Sequence, residues 1–139
     1  MKIEVMSRDF IESYGYPFDI NGCYVISIST PGNRDARIYT NPEKILRVSF
    51  YDIDKEIVDG DKKYEPISDE QARIIAKFVK DNYDKIYLLF VQCEAGVSRS
   101  AGVAAAIAKY YYDHDDFYFD RYVPNRTCYK KVLEALKSW

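Results

Sequence analysis

A cysteine and an arginine six positions apart, Cys93 and Arg99, enclose the short loop "CEAGVSR". An apolar run, Ile86–Val91, precedes this loop, and a segment of small residues, "SAGVAAAIA", follows it. The pattern predicts a buried strand before the loop and a closely packed helix after it. A loop between a strand and a helix turns several backbone N–H groups toward one point. Together with the helix dipole, these groups bind a tetrahedral oxyanion.

The loop also carries a nucleophile and a cation. The positive field at the start of the predicted helix favours the thiolate of Cys93, which is the reactive form of a cysteine. Gly96 permits a backbone conformation that a side chain would resist. Arg99 has a planar guanidinium that binds two oxygens at once, which lysine cannot do. A nucleophile beneath a cage for phosphate predicts phosphoryl transfer through a cysteinyl-phosphate, with the cage stabilising the equatorial oxygens.

The sequence from Gln92 to Ser100 resembles the signature H-C-x-x-G-x-x-R-[ST] of the cysteine-based protein tyrosine and dual-specificity phosphatases. It is similar in particular to their small dual-specificity-type and bacterial or phage members, and the resemblance extends over residues 20–136. It implies that Cys93 is the nucleophile, that Arg99 binds the phosphate, and that Ser100 assists thiolate departure or phosphoenzyme hydrolysis. It also implies a phosphate cradle made by the backbone of Glu94, Ala95, Gly96, Val97, Ser98 and Arg99.

One position departs from the family pattern. The family has histidine before the cysteine, whereas this chain has Gln92. A glutamine side chain can still hydrogen-bond the loop backbone, but it supplies no positive charge. We therefore expect the thiolate of Cys93 to be less stabilised than is usual in the family.

The leaving oxygen of a phosphomonoester needs a proton, so a general acid should face the nucleophile. In the resembling enzymes this acid is an aspartate on an upstream loop. Here the predicted strand Ile45–Tyr51 opens into an acidic loop, and Asp52 continues the parity of the inward side chains of that strand. We predict that Asp52 is the general acid, with Asp54, which shares this parity, as the alternative. The other acidic residues of the loop are expected to be solvated: Glu56, Asp59 and Asp61.

The strands and helices that position these residues are predicted from the spacing of apolar residues and from the turn and helix-capping residues between them. Strands are predicted at Lys2–Val5, Cys23–Ser29, Ile45–Tyr51 and Lys85–Gln92. Helices are predicted at Ser7–Ser13, at about 69–80, from Ser98 or Arg99 to about Tyr112, and from Pro124-Asn125 onward. Strands alternating with helices predict an α/β fold. We expect one domain, residues 1–139, with a mainly parallel sheet of about four or five strands flanked by helices on both faces. Ligand sites in such sheets lie beyond the C-terminal strand ends, where Cys93 and Asp52 both fall.

The helix over 69–80 has a sequence signature of its own. Ser68 and Gln71 form a capping-box pattern at its start. The period predicts a buried stripe on this helix, made by Ile74, Ile75, Phe78 and Val79. Val132, Leu133 and Leu136 are likewise expected to face inward from the last helix.

Composition and charge narrow the classes of partner. A formal net charge of −2 gives no sign of a nucleic-acid or membrane-surface partner. The N-terminal sequence lacks a secretion-signal pattern, and the apolar runs are short, so we expect a monomeric cytoplasmic protein with reduced thiols.

Cys23 and Cys128 are expected to be buried, although either could form a protective disulfide with Cys93. The acidic stretch Asp113–Asp120 around His114 is interpreted as a solvated connection, and no metal or cofactor is expected.

These observations predict a metal-independent phosphomonoesterase of the tyrosine or dual-specificity type. Its substrate would be a phosphorylated protein or a small phosphomonoester, because the loop interior has no lysine to favour a polyanionic phosphoinositide. The main alternative is a phosphate-binding module without turnover, which the substitution at Gln92 keeps open. A rhodanese-like or arsenate-reductase-like use of the loop is a third reading, but neither explains the upstream aspartate loop as well.

Overall fold

The computed structural model describes residues 1–13, 21–39 and 41–138. Its strands are β1 (Lys2–Met6), β2 (Cys23–Ser29), β3 (Lys44–Ser49), β4 (Ile57–Asp59), β5 (Lys62–Tyr64) and β6 (Leu88–Gln92). Its helices are α1 (Arg8–Ser13), α2 (Asp69–Asn82), α3 (Arg99–Tyr112), α4 (Asp116–Arg121) and α5 (Arg126–Lys137). Four strands form one sheet in the order β1-β6-β2-β3, with every neighbouring pair parallel.

One face of the sheet carries the main core. Alternate side chains of β2 and β6 point into it, and α2, α3 and α5 cover it. Buried on this face are Tyr24, Ile26, Ile28, Leu89, Val91, Ile75, Val79, Ile107, Val132 and Leu136. Gly102 lets α3 approach the start of α5, because a Cβ there would lie 2.5 Å from the carbonyl oxygen of Asn125. The small residues of α3 therefore bring the last helix close to the loop that precedes α3.

The opposite face of the sheet is covered by one short helix and by a segment without regular secondary structure. The other set of alternating side chains, from β2 and β6, packs against α1 and the segment after β2. The buried residues of this second cluster are Met6, Ile11, Cys23, Val25, Ala36, Leu88 and Phe90. Since parity assigns each strand residue to one face, Gln92 falls on this second face and Cys93 on the helical one.

The α/β class, the parallel sheet of four strands and the flanking helices confirm the fold predicted from the sequence at this level. The capping box at Ser68 is present, with reciprocal hydrogen bonds between Ser68 and Gln71. The predicted helical stripe is wrong at Ile74, which is 42% exposed. Ala72 and Ala76 are buried on α2 together with the correctly predicted Ile75 and Val79.

Two further differences concern segments predicted as connections. The acidic loop after β3 contains the antiparallel pair β4–β5. Tyr51, two residues after β3, donates its N–H to the carbonyl of Glu65 beyond the hairpin. The stretch predicted as a solvated connection after α3 contains α4, whose Tyr118 is buried. Within the described ranges, no helix is long and apolar enough to cross a membrane.

Candidate active site

Cys93 lies at the end of β6, and the chain turns sharply after it. The side chain is 1% exposed, and its Sγ accepts a hydrogen bond from the backbone N–H of Gly96 at 3.3 Å. The hydroxyl of Ser100 lies 3.1 Å from the same sulfur. One backbone N–H of the loop 93–99 and one hydroxyl from the first turn of α3 therefore face the sulfur.

Gly96 allows the chain to turn in this way. Its φ is +69°, in the left-handed region, and a Cβ at this position would lie 2.5 Å from the backbone nitrogen of Ser7 and 2.7 Å from the carbonyl carbon of Met6. The junction between β1 and α1 thus packs directly on the loop. Cys93 is tied to the same junction, since its N–H donates to the carbonyl oxygen of Met6 at 3.2 Å.

The guanidinium of Arg99 is buried and held from one side. The residue is 4% exposed, and one terminal nitrogen donates to the carbonyl oxygens of Phe50 at 2.7 Å and Ser29 at 3.4 Å. These carbonyls follow the ends of β3 and β2, so two strand ends orient the arginine. Within the described part of the chain, Nε of Arg99 is the one buried side-chain nitrogen or oxygen that has no hydrogen-bond partner. Buried N–H groups are nearly always satisfied, and an oxyanion would satisfy this one.

The first turn of α3 is not capped by a side chain. Ser98 occupies the N-cap position, where a serine oxygen usually accepts a hydrogen bond from the helix, but it makes no such bond. Its hydroxyl instead donates to Oδ1 of Asp52 at 2.7 Å. The positive end of this 14-residue helix therefore faces the loop without internal neutralisation, which favours an anion there.

Asp52 is joined to the loop from two directions. Besides the hydroxyl of Ser98, the side-chain amide of Asn125 donates to Oδ1 of Asp52 at 3.0 Å. Asn125 is 7% exposed, and its own Oδ1 caps α5 by accepting the N–H of Cys128 at 2.8 Å. Its backbone N–H donates to the carbonyl of Ser98 at 2.9 Å. One asparagine thus links the aspartate, the loop and the last helix.

Asp54 and the remaining acids of this region lie elsewhere. Asp54 accepts a hydrogen bond from the hydroxyl of Thr127 through its carboxylate at 3.3 Å, and through its backbone carbonyl at 3.0 Å. Glu56 pairs with Lys63 of the hairpin at 3.7 Å, and Asp59 and Asp61 are exposed. Of the two aspartates with the predicted parity, Asp52 is the one that contacts the loop 93–99.

The charge of Glu94, the residue after the cysteine, is neutralised by Arg8. Two nitrogens of the guanidinium donate to the two carboxylate oxygens at 2.7 and 2.9 Å, and the N–H of Arg8 donates to the carbonyl of Glu94 at 3.0 Å. The hydrogen bond from Arg8 lowers the pKa of Glu94 from its ordinary value. An ionised glutamate beside an anion site would repel the ligand, and this bidentate pair reduces that repulsion.

Gln92 is fully buried, and its amide nitrogen donates to the carbonyl oxygen of Cys93 at 3.0 Å. The expectation that a glutamine at this position can hydrogen-bond the loop backbone is confirmed. Cys23 and Cys128 are buried, as predicted, and all three cysteines are free thiols. Burial, and next the negative charge of Asp52, raise the pKa of Cys128.

Sequence reasoning did not assign a role to Asn125, Ser98 or Arg8 through their side chains. The position of Asn125 after a proline at the start of a helix predicts that its side chain caps the helix. It does not predict the hydrogen bond to Asp52, which is 73 residues away in the sequence.

No protein-family model and no curated protein matches the chain. Among the described residues, no group of three His, Cys, Asp or Glu side chains is arranged to hold a metal ion.

Proposed function

We propose that the chain is a phosphomonoester hydrolase of the protein-tyrosine or dual-specificity type that acts through a cysteinyl-phosphate. The observation that carries the proposal is the buried Nε of Arg99, which has no hydrogen-bond partner and lies at the uncapped N-terminus of the helix that follows the Cys93 loop. An arginine binds a phosphate in a bidentate way through adjacent nitrogens. Here one terminal nitrogen is already occupied by strand carbonyls, and Nε is available for the ligand.

In the first step, the phosphate of the substrate lies in the cradle of backbone N–H groups from Glu94 to Arg99. The thiolate of Cys93 attacks phosphorus in line, an S–P bond forms, and the bond from phosphorus to the leaving oxygen breaks. The protonated carboxyl of Asp52 donates its proton to that oxygen, which leaves as an alcohol or phenol. The guanidinium and the N–H groups stabilise the charge on the three equatorial oxygens.

In the second step, a water molecule attacks phosphorus and gives its proton to the Asp52 carboxylate. The S–P bond breaks, inorganic phosphate is released, and the sulfur leaves as thiolate. The hydroxyl of Ser100, 3.1 Å from the sulfur, donates a hydrogen bond to this thiolate and makes it a better leaving group. Asp52 is then protonated again and ready for the next substrate.

Hydrolysis of p-nitrophenyl phosphate and of a panel of phosphopeptides tests the proposal, with vanadate as inhibitor. We expect wild type to be active and vanadate-sensitive, and Cys93→Ser to be inactive while still binding phosphopeptides. Cys23→Ser, which changes a buried cysteine of the other core cluster, is the matched control and should keep its activity. Binding of phosphate by wild type without turnover would instead identify a phosphate-binding module and refute the hydrolase.

A further inference from the structure

Three polar side chains lie side by side across the second face of the sheet. Ser27 of β2 is in register with Gln92 of β6 on one side and with Arg47 of β3 on the other. Ser27 is 3% exposed and Gln92 is fully buried, on the face of the sheet whose buried cluster is apolar. The burial of Ser27 and Gln92 needs a reason, because burying polar groups costs stability unless they are paired, whereas Arg47 is exposed.

Each side chain in the row donates a hydrogen bond to the next, and the last bond reaches the backbone carbonyl of Cys93. A guanidinium nitrogen of Arg47 lies 3.4 Å from the hydroxyl oxygen of Ser27 and donates to it. The Ser27 hydroxyl donates to Oε1 of Gln92 at 2.5 Å. The amide nitrogen of Gln92 then donates to the carbonyl oxygen of Cys93 at 3.0 Å.

The direction of these bonds is fixed by chemistry. The carbonyl of Cys93 can only accept, so Gln92 must present its amide nitrogen to it and its amide oxygen to Ser27. That oxygen is buried and requires a donor, which the Ser27 hydroxyl supplies. Arginine stays protonated and can only donate, so the Ser27 hydroxyl oxygen accepts from Arg47. The hydroxyl hydrogen of Ser27 is then directed toward Gln92.

We propose that Ser27 and, more weakly, Arg47 are positioning residues that orient the loop 93–99 through Gln92. The inference rests on the proposed function of this loop and extends it to a row on the opposite face of the sheet. The same row connects the loop to the segment after β2, because Arg47 also donates to the carbonyl of Ala36 at 3.0 Å. None of these side chains contacts the substrate, and each acts through the next.

A double-mutant cycle of Ser27→Ala and Gln92→Met tests this inference. The readouts are the affinity for vanadate, the rate of Cys93 alkylation by iodoacetamide, kcat and KM for p-nitrophenyl phosphate, and the melting temperature. We expect Ser27→Ala to lower vanadate affinity and kcat/KM by roughly 10- to 100-fold, since small misplacements of catalytic groups have effects of this size. In the Gln92→Met background the same substitution should change them less than about twofold, because the row is already broken.

Two further variants separate positioning from general destabilisation. Cys23→Ala removes a buried atom from the same strand and the same face, and it should leave vanadate affinity unchanged. Ser27→Thr keeps the hydroxyl and should restore most of the affinity. Wild-type values in Ser27→Ala, or equal effects of Ser27→Ala in both backgrounds, would overturn the inference. Because vanadate binding needs no turnover, the vanadate affinities decide the cycle even if wild type hydrolyses no phosphomonoester, a result that would refute the proposed function alone.

Discussion

The hydroxyl of Ser98 donates to the carboxylate of Asp52 at 2.7 Å, across 46 positions of sequence. This contact joins the loop after β3 to the loop 93–99, and Asn125 reinforces it from α5. In the proposed mechanism, these two donors would hold the general acid beside the loop 93–99 before the substrate binds.

Asp52→Asn should lower the hydrolysis of phosphotyrosine peptides by about 100-fold or more, because the leaving oxygen loses its proton donor. The effect should be smaller with p-nitrophenyl phosphate, whose leaving group departs more readily without a proton. Asp54→Asn is the matched variant and should remain near wild type, since Asp54 contacts Thr127 rather than the loop. Steady-state kinetics on both substrates decide between the two aspartates, and full activity of Asp52→Asn would exclude it as general acid.

Asn125→Ser separates two functions of one asparagine. Serine caps helices about as well as asparagine, so the melting temperature should change little. The shorter side chain cannot also reach Asp52, and we expect kcat for phosphotyrosine peptides to fall by roughly tenfold while KM is nearly unchanged. A variant with wild-type kcat would show that the 3.0 Å contact has no part in positioning the acid.

Gly96→Ala and Gly60→Ala both place a side chain at positive φ, +69° and +62°, but only Gly96 is crowded. The left-handed backbone should cost each variant about 1–2 kcal/mol of unfolding free energy. Gly96→Ala should lose about 1–3 kcal/mol more, because its Cβ would overlap the backbone at Ser7. Urea unfolding measures both values, and equal losses would contradict the close packing of the loop on the junction between β1 and α1.

Stability at acidic pH should depend on Glu12. A hydrogen bond from Arg34, and next the backbone N–H of Arg37, lower the pKa of Glu12 from its ordinary 4.5 to about 2. The folded carboxylate binds its proton less readily than the unfolded one, so its contribution is fully present above pH 4.5 and is lost as the pH falls toward 2. Chemical unfolding between pH 5 and 2.5 should show a shallower decline for Glu12→Gln than for wild type. Glu134→Gln, on the exposed face of α5, should decline like wild type, and identical slopes for all three proteins would contradict the prediction.

Gln92→His should make Cys93 more reactive in mildly acidic solution. A protonated imidazole would keep a donor toward the carbonyl of Cys93 and add a positive charge near the sulfur, which favours the thiolate. We expect iodoacetate to alkylate the variant several-fold faster than wild type at about pH 6. Alkylation rates that are equal, or lower in the variant, would contradict the idea that glutamine leaves the thiolate less stabilised.

The sequence predicted an element correctly where the local preference of its residues matches the place that the element takes in the fold. The alternation in Cys23–Ser29, the capping box at Ser68 and the small-residue segment after Arg99 all predicted elements that the structure contains. The parity of the third strand was enough to bring Asp52 to the loop, because parallel strands end at a common edge.

The features that were missed depend on contacts between distant segments. The strands β4 and β5 have three residues each and five of these six residues are exposed, so no burial period marks them. Ile74 was predicted to be buried because it is apolar, but the buried face of α2 consists of Ala72, Ile75, Ala76, Val79 and Asn82, and Ile74 lies outside it. The hydrogen bond from Asn125 to Asp52 could not be predicted from the adjacent sequence, because capping of α5 alone explains why an asparagine stands at this position.

The attachment of Arg99 to two strand ends has a consequence for how the proposed activity would be lost on heating. The carbonyls of Ser29 and Phe50 orient the guanidinium only while β2 and β3 keep their register at that edge. Fraying of the last residue pair of these strands would redirect the cation before any helix melts. Heat inactivation should therefore begin below the temperature at which circular dichroism detects unfolding, and turnover would report on the integrity of a single corner of the sheet.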